Sequence, residues 1–316
     1  PALMECTDPQ LVAWVDVPEL SKEVSIFLGA VDRPFEPAFS GLLRDGATMV
    51  PVRCGRCLAC RIQRTKEWKI RMLHELQMHP GSVGLFATLT YDEQHLPPCG
   101  SLVRRDLQLF FKRLRKQCGK FRFAACGEYG KLTGRPHYHV IFFGLNLPDL
   151  RGSSPCRTFR STIFETCWGL GQVLIGKAEN DSIAYVAGYT AKKLMHSKDE
   201  TPWVEEVDAS GLVVREYPVS KEFFGTSTNP GLGAGWIEKY GEQVLRDENI
   251  ALDTGKSTPL IPRYYMKKLK ESGHPWYDAF VEQRAGNAPQ PSEAAQRRFI
   301  DSALQAQFAA KSREKL

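Results

Sequence analysis

Residues 121–145 read FRFAACGEYGKLTGRPHYHVIFFGL. Two runs of strand-forming residues, 121–129 and 137–145, flank a short segment that carries Gly130, Gly134 and Pro136. This pattern predicts a β-hairpin. Residues two apart on a strand share a face, so His137 and His139 project together from an otherwise apolar strand. With the loop centred near Leu132 and Thr133, Glu128 falls opposite His137, and directly opposed residues also share a face. Two imidazoles and a carboxylate so placed form a candidate metal site with positions left open for substrate oxygens and water. The set suits Mg²⁺ or Mn²⁺ held against a phosphate, although the ligands alone leave Zn²⁺ and Fe²⁺ open. The alternative is a pair of strand histidines engaged in ordinary hydrogen bonds.

The flanking sequence extends the hairpin into a sheet. Residues 84–91 (GLFATLTY) alternate as a strand, with Phe86, Thr88 and Thr90 on one face and Leu85, Ala87, Leu89 and Tyr91 on the other. Residues 61–79 have helical periodicity and stop before Pro80-Gly81. Residues 102–118 predict a basic amphipathic helix, with Leu107, Phe110, Phe111 and Leu114 inside and Arg105, Lys112, Arg115 and Lys116 outside. A helix over 161–170, a strand over 172–177 and a helix over 183–196 follow. The order strand, helix, strand, strand, helix, strand, helix predicts an α+β fold. Its antiparallel sheet would carry packed helices in a ferredoxin-like or RNA-recognition-like arrangement.

The remaining sequence is less periodic. Residues 1–52 read as an irregular arm. Residues 197–222 carry seven acids and three bases and read as a linker or exposed loop. The last third shows a loop with Gly231, Gly233 and Gly235, a segment over 262–269, and a terminal amphipathic helix around Phe299, Ile300, Leu304 and Phe308. Three parts are expected: an N-terminal arm and basic helical extension (1–83), a core (84–196), and an acidic linker with a mostly helical C-terminal region (197–316).

Tyr185, Tyr189, Lys192 and Lys193 lie in SIAYVAGYTAKKL. On a helix Tyr189 is about 40° round the axis from Tyr185, Lys192 about 20° to the other side and Lys193 about 80° round. All four can share one face. A tyrosine can be a covalent nucleophile, and nearby cations ease loss of its proton or offset phosphate charge. The alternative is a packing face with tyrosines partly in the core. Tyr264 and Tyr265, followed by Lys267 and Lys268, are a rival pair. Being adjacent, they point in different directions.

With 316 residues, 42% hydrophobic and 25% charged, the chain can bury a core, and disorder throughout or a fibrous fold is excluded. No apolar run approaches the ~18 residues of a membrane span, so a soluble, intracellular protein with no membrane association is expected. The formal charge of +6 is uneven: residues 53–122 hold fifteen Lys+Arg against five Asp+Glu, net +10, leaving −4 elsewhere. A concentrated basic region suits a polyanion, or is simply a solvated surface. The nine cysteines are odd in number, which argues against a full disulfide framework. Cys54, Cys57 and Cys60 have metal-type spacing, and a structural Zn²⁺ there would need a fourth ligand, His74 or a remote cysteine. A reduced structural cluster is the alternative.

Taken together, H-hydrophobe-H followed about fifty residues later by Y-x-x-x-Y-x-x-K-K resembles the two-tyrosine HUH endonucleases that initiate rolling-circle replication. Further stretches resemble the replication initiators of gokushovirus-like microviruses. They are CGRCLACR (54–61), FATLTY (86–91), CGEYG (126–130), GRPHYHVIFFG (134–144), YVAGYTAKK (185–193), PGLG (230–233) and IPRYYMKKL (261–269). The resemblance covers roughly residues 53–269, with the motifs in the family's order. It implies His137, His139 and Glu128 as ligands of a divalent cation, Tyr185 and Tyr189 as nucleophiles, and Lys192 or Lys193 as the assisting lysine. It makes 84–196 the nuclease core. Tyr138 stands where the family has a bulky hydrophobe. The implied activity is origin nicking and strand joining through a 5′-phosphotyrosyl intermediate. Single-stranded DNA at a viral origin would be the substrate, and host polymerase and helicase the partners, in the cytoplasm of the infected bacterial host. Arg104, Arg105, Lys112, Arg113, Arg115 and Lys116 would hold the DNA backbone.

Other signals are weaker. GQVLIGK (171–177) fits the start of a phosphate-binding loop, but Ala178 follows where Ser or Thr is needed, and its interior reads as an apolar strand. Gly255-Lys256-Ser257 lacks the upstream glycine, since residue 250 is Ile. ATPase activity is therefore not expected. Two rival functions stand. One is a non-enzymatic nucleic-acid-binding protein with a cysteine-metal site, the other a metal-dependent hydrolase of a small substrate that has no need of Tyr185 or Tyr189.

Overall fold

The computed structural model describes residues 6, 10–17, 22–30, 48–152, 158–192, 203–207, 210, 212–252 and 255–286. The chain divides into two compact units, Pro1–Arg64 with Asp278–Leu316, and Thr65–Tyr277. The predicted helix around Phe299 to Phe308, and residues 193–196 of the predicted tyrosine helix, lie outside the described residues.

In the first unit β1 (Gln10–Val17), β2 (Lys22–Ala30) and β3 (Thr48–Val52) form an antiparallel sheet in the order β2-β1-β3. This corrects the expected irregular arm. The segments QLVAWVDV and KEVSIFLGA are rich in β-branched and aromatic residues, and that propensity prevails over the surrounding prolines. Helix α1 (Leu58–Gln77) follows and ends ahead of Pro80, which cannot continue it.

The second unit is built on a six-stranded antiparallel sheet. Its strands are β4 (Leu85–Thr90), β5 (Arg122–Tyr129), β6 (Pro136–Phe143), β7 (Thr158–Phe159), β8 (Val173–Lys177) and β11 (Phe223–Thr226), in the order β11-β5-β6-β4-β8-β7. Helices α2 (Arg104–Cys118), α3 (Thr162–Trp168) and α4 (Asn180–Lys192) connect or follow them. The central strands β5-β6-β4-β8, joined through α2, a hairpin and α3, have the ferredoxin-like topology. The α+β expectation therefore holds, and GQVLIGK is a strand as read.

The alternation of β4 and β6 divides the core. Leu85, Ala87 and Leu89 join Tyr138, Val140 and Phe142 beneath Phe110, Phe111 and Leu114 of α2 and Phe164 and Trp168 of α3. On the other face Ile141 and Phe143 pack with Met72 and Leu73 of α1 and Ile183, Val186, Ala187 and Tyr189 of α4. By parity His137 and His139 belong to this second face.

Two further segments differ from expectation. The acidic 197–222 region contains a hairpin of β9 (Trp203–Val207) and β10 (Val213–Pro218). The glycine loop opens helix α5 (Ala234–Asp247), with Gly233 as its left-handed N-cap at φ 78°. Strands β12 (Ile250–Ala251) and β13 (Ser257–Thr258), then α6 (Arg263–Glu271) and α7 (Tyr277–Gly286), complete the described chain. No helix of the described residues is long and apolar enough to cross a membrane.

Candidate active site

Hairpin register places Glu128 directly opposite His137 and Cys126 opposite His139. Glu128 Oε1 lies 3.0 Å from His137 Nε2 and 2.7 Å from His139 Nε2. The outer nitrogens are fixed as well. His137 Nδ1–H donates to the Arg135 carbonyl at 3.1 Å, and His139 Nδ1 lies 2.9 Å from Thr88 Oγ1. This is how second partners orient imidazole ligands, leaving both Nε2 atoms aimed at one point. Thr88 faces His139 across β4 and β6. Sequence reasoning does not single it out as a site residue, although its place on the Phe86–Thr90 face is readable. Phe86 stacks on the His139 ring, with centroids 5.4 Å apart.

Helix α4 lays its tyrosines over this group. Tyr185 donates to Glu128 Oε1 at 2.5 Å, and Tyr189 donates to the Tyr185 hydroxyl at 3.0 Å. Tyr185 is 46% exposed and Tyr189 only 5%, so solvent and a substrate reach Tyr185 first. Lys192 ends α4, but its side chain, like the whole of Lys193, lies outside the described residues.

The electrostatics follow from these contacts. Burial raises the Glu128 carboxyl, but the hydrogen bonds from His137, His139 and Tyr185 outweigh it and hold the group well below the usual carboxylate range. Burial opposes a charge on His137, yet Glu128 and the Arg135 carbonyl prevail and raise its pKa. Tyr185 is pushed above the usual phenol range by burial and by its bond to the Glu128 carboxylate. An anion that gathers two imidazoles on one oxygen is the donor set a divalent cation takes, and the three ligand atoms lie within 4.8 Å of one another.

Other predicted residues lie elsewhere. Helix α2 covers the opposite face of the sheet from His137 and His139. Arg105, Lys112 and Lys116 are exposed there. Arg104 stacks over Phe223 at 4.4 Å and Arg115 over Phe121 at 4.7 Å. Arg113 is taken up by the end of α3, donating to the Cys167 carbonyl at 2.6 Å and that of Trp168 at 3.1 Å. Of the rival tyrosines, Tyr265 is buried against His74, and the Tyr264 hydroxyl accepts from the Gly231 amide at 3.1 Å.

Cys54, Cys57 and Cys60 do come together, and the fourth member of the group is Cys6. His74 is not available to them: its Nδ1 accepts from Tyr265 at 3.0 Å and its Nε2 donates to the Ala251 carbonyl at 2.9 Å. The described residues thus hold two groups able to bind a metal, Glu128-His137-His139 and the four cysteines.

Residues 84–194, which span β4 to α4 with both tyrosines, match the family described as replication-associated protein ORF2. The chain is 33% identical over 246 residues to replication-associated protein VP4 of Bdellovibrio phage phiMH2K, covering 72% of this chain and 71% of the relative. It is 28% identical over 247 residues to replication-associated protein ORF2 of Spiroplasma virus 4, covering 72% and 70%. A third relative, replication-associated protein ORF4 of Chlamydia phage 1, is 28% identical over 234 residues, 70% of this chain and 54% of that protein. No solved structure matches the chain significantly. Identity of one third across most of both proteins, together with a family match that falls on the sheet and helix carrying the site, means that the chain belongs to the replication-associated proteins of the microviruses.

Proposed function

We propose that the protein initiates rolling-circle replication of a small single-stranded DNA phage by nicking its origin and rejoining the released strand. One observation carries this reading: Tyr185 places its hydroxyl on the carboxylate that also gathers His137 and His139, with Tyr189 one hydrogen bond behind. A small-substrate hydrolase has no need of that phenol. The catalytic core would be residues 84–196, which the family match to 84–194 supports.

His137, His139 and Glu128 would hold Mg²⁺ or Mn²⁺, which when bound offsets charge on the oxygens of the scissile phosphate. Tyr185 attacks phosphorus in line. Its Oη–P bond forms as the P–O3′ bond breaks, leaving a 5′-phosphotyrosyl protein and a free 3′-OH that primes a host polymerase. The phenolic proton leaves along the hydrogen bond already directed at Glu128. Lys192 or Lys193, three and four residues beyond Tyr189 on the chain, would offset phosphate charge. After one round Tyr189 attacks the regenerated origin, and the 3′-OH displaces Tyr185 to close the circle. Bonds are exchanged one for one, so cleavage and joining need no nucleotide, and unwinding falls to a host helicase. The exposed cations of α2 lie across the sheet from the tyrosines. They would hold the strand flanking the nick rather than the scissile phosphate. The work would take place in the cytoplasm of the infected bacterium.

The test is incubation with single-stranded origin DNA and Mn²⁺, followed by denaturing electrophoresis. A protein-linked DNA fragment is expected from the native chain and none from Tyr185→Phe with Tyr189→Phe. DNA binding without any adduct would favour a non-enzymatic binding protein, and an adduct persisting in the double variant would sink the tyrosine assignment.

A further inference from the structure

We propose that Cys6, Cys54, Cys57 and Cys60 form a closed structural zinc site that fastens together the two ends of the N-terminal sheet. Their four sulfurs lie within 4.8 Å of one another, with no carboxylate or imidazole in the group. Cys54 Sγ is 3.9 Å from Cys60 Sγ, and Cys57 Sγ is 3.9 Å from Cys6 Sγ. A disulfide needs about 2.05 Å. Zinc with Zn–S bonds of about 2.3 Å in a tetrahedron sets its sulfurs about 3.8 Å apart. The spacing therefore fits a shared metal and not a cross-link. An all-thiol set is also the soft set that selects zinc over Mg²⁺ or Mn²⁺, and four protein ligands leave no position for a substrate.

The backbone around the sulfurs is arranged for thiolates. The amides of Cys57 and Arg56 donate to Cys54 Sγ at 3.3 and 3.4 Å, and the amide of Cys54 donates to Cys6 Sγ at 3.3 Å. Cys57 directly precedes α1 and Cys60 lies in its first turn, where the helix dipole favours negative charge. Arg53, Arg56, Arg61 and Arg64 add positive charge along the same stretch, against the two negative charges of a zinc with four thiolates. On binding, the four thiols release their protons to solvent, and nothing is oxidised or reduced.

The sheet shows what the metal would do. Cys6 stands four residues before Gln10, and Cys54 two residues after Val52. Gln10 pairs with Val52 in the β1–β3 ladder. Strand pairing thus delivers Cys6 beside Cys54, and the turn into α1 brings Cys57 and Cys60 under them. A three-stranded sheet buries little on its own, and small units of this kind are commonly stapled by a metal.

The full chain, expressed in zinc-supplemented medium, should carry about one zinc per molecule by elemental analysis. Cys6→Ser and Cys57→Ser should each lower that content at least tenfold, while His137→Ala with His139→Ala should keep it. Because a cysteine variant could fail to fold, X-ray absorption at the zinc edge of the unmodified chain is the second measurement, with four sulfurs at about 2.3 Å expected. Three results would overturn the proposal: a zinc-free native chain, a first shell containing nitrogen or oxygen, or zinc that persists in both cysteine variants.

Discussion

The two tyrosine pairs of this chain share a composition and differ in setting. Tyr185 and Tyr189 are followed by Lys192 and Lys193, and Tyr264 and Tyr265 by Lys267 and Lys268. The first pair is one helical turn apart, so both hydroxyls meet on one side, linked to each other and to Glu128. The second pair is adjacent and diverges. The Tyr264 ring lies 4.0 Å under the Arg71 guanidinium, while Tyr265 is wholly buried against His74, itself stacked on Trp236 with centroids 3.6 Å apart. The lesson is that a phenol is reactive or structural according to what its oxygen faces. One faces a carboxylate beside two imidazoles, the other a neutral imidazole inside an aromatic stack.

The sharpest way to break this contrast is to remove single hydroxyls. Tyr185→Phe should lower the first round of covalent adduct formation about 10³-fold, while Tyr189→Phe changes that round less than tenfold. Equal effects from both variants in a single-turnover assay would reverse the order of attack. Tyr264→Phe and Tyr265→Phe should leave the adduct rate within about twofold.

His74 offers the next test, because it belongs to the structural pair. Burial lowers its pKa to about 4, partly offset by its bond to the Ala251 carbonyl. Unfolded, it titrates near 6.5. Between those values the unfolded chain binds more protons, so its contribution is whole above pH 6.5 and is lost as pH falls towards 4. The slope is about 1.4 kcal/mol per pH unit and the sum about 3 kcal/mol. Urea denaturation at pH 7 and pH 5 measures it, and a flat profile would contradict the buried neutral imidazole.

Tyr265→Phe leaves His74 Nδ1 without its donor and should cost about 1–3 kcal/mol of stability in the same denaturation assay. A neutral result would mean that the bond contributes nothing to the stack. The smallest effect belongs to a residue that acts through another. Thr88→Val removes the partner of His139 Nδ1 and should raise the Mn²⁺ concentration for half-maximal nicking about tenfold. Its rate at saturating Mn²⁺ should stay near that of the native chain, and a fall in that rate instead would assign Thr88 a role beyond positioning.

How much of this was legible depended on sequence distance. The Glu128–His137 pairing is local: a strand period of two and the position of the loop fix it, and the observed register agrees. The four-residue tyrosine spacing is likewise local. Thr88 required knowing that β4 pairs with β6 in register with His139, a contact across fifty-one residues. Cys6 is forty-eight residues from Cys54, and its approach depends on a β1–β3 ladder hidden among prolines. The cations of α2 were legible as a basic face, but which side of the sheet that face covers is set by the chain crossing and not by periodicity. Helix α5 was missed because its glycines read as a loop. In the fold Gly241 is required where α5 meets α6, since a Cβ there would sit 2.7 Å from Leu269 Cδ2.

The residue between the two histidines has a consequence of its own. Tyr138 turns to the opposite face, where its hydroxyl lies 2.8 Å from that of Tyr91 and accepts from the Val103 amide at 2.9 Å. Burial lifts its pKa to about 12, so at neutral pH it remains a phenol that completes this buried network. A slip of one residue in β6 would bring this ring under α4 and drive two imidazoles among Phe110 and Trp168. The strand therefore checks its own assembly. A chain that pairs its sheet wrongly destroys its core and its cutting site in the same error, so a misfolded copy has no means of nicking the genome it serves.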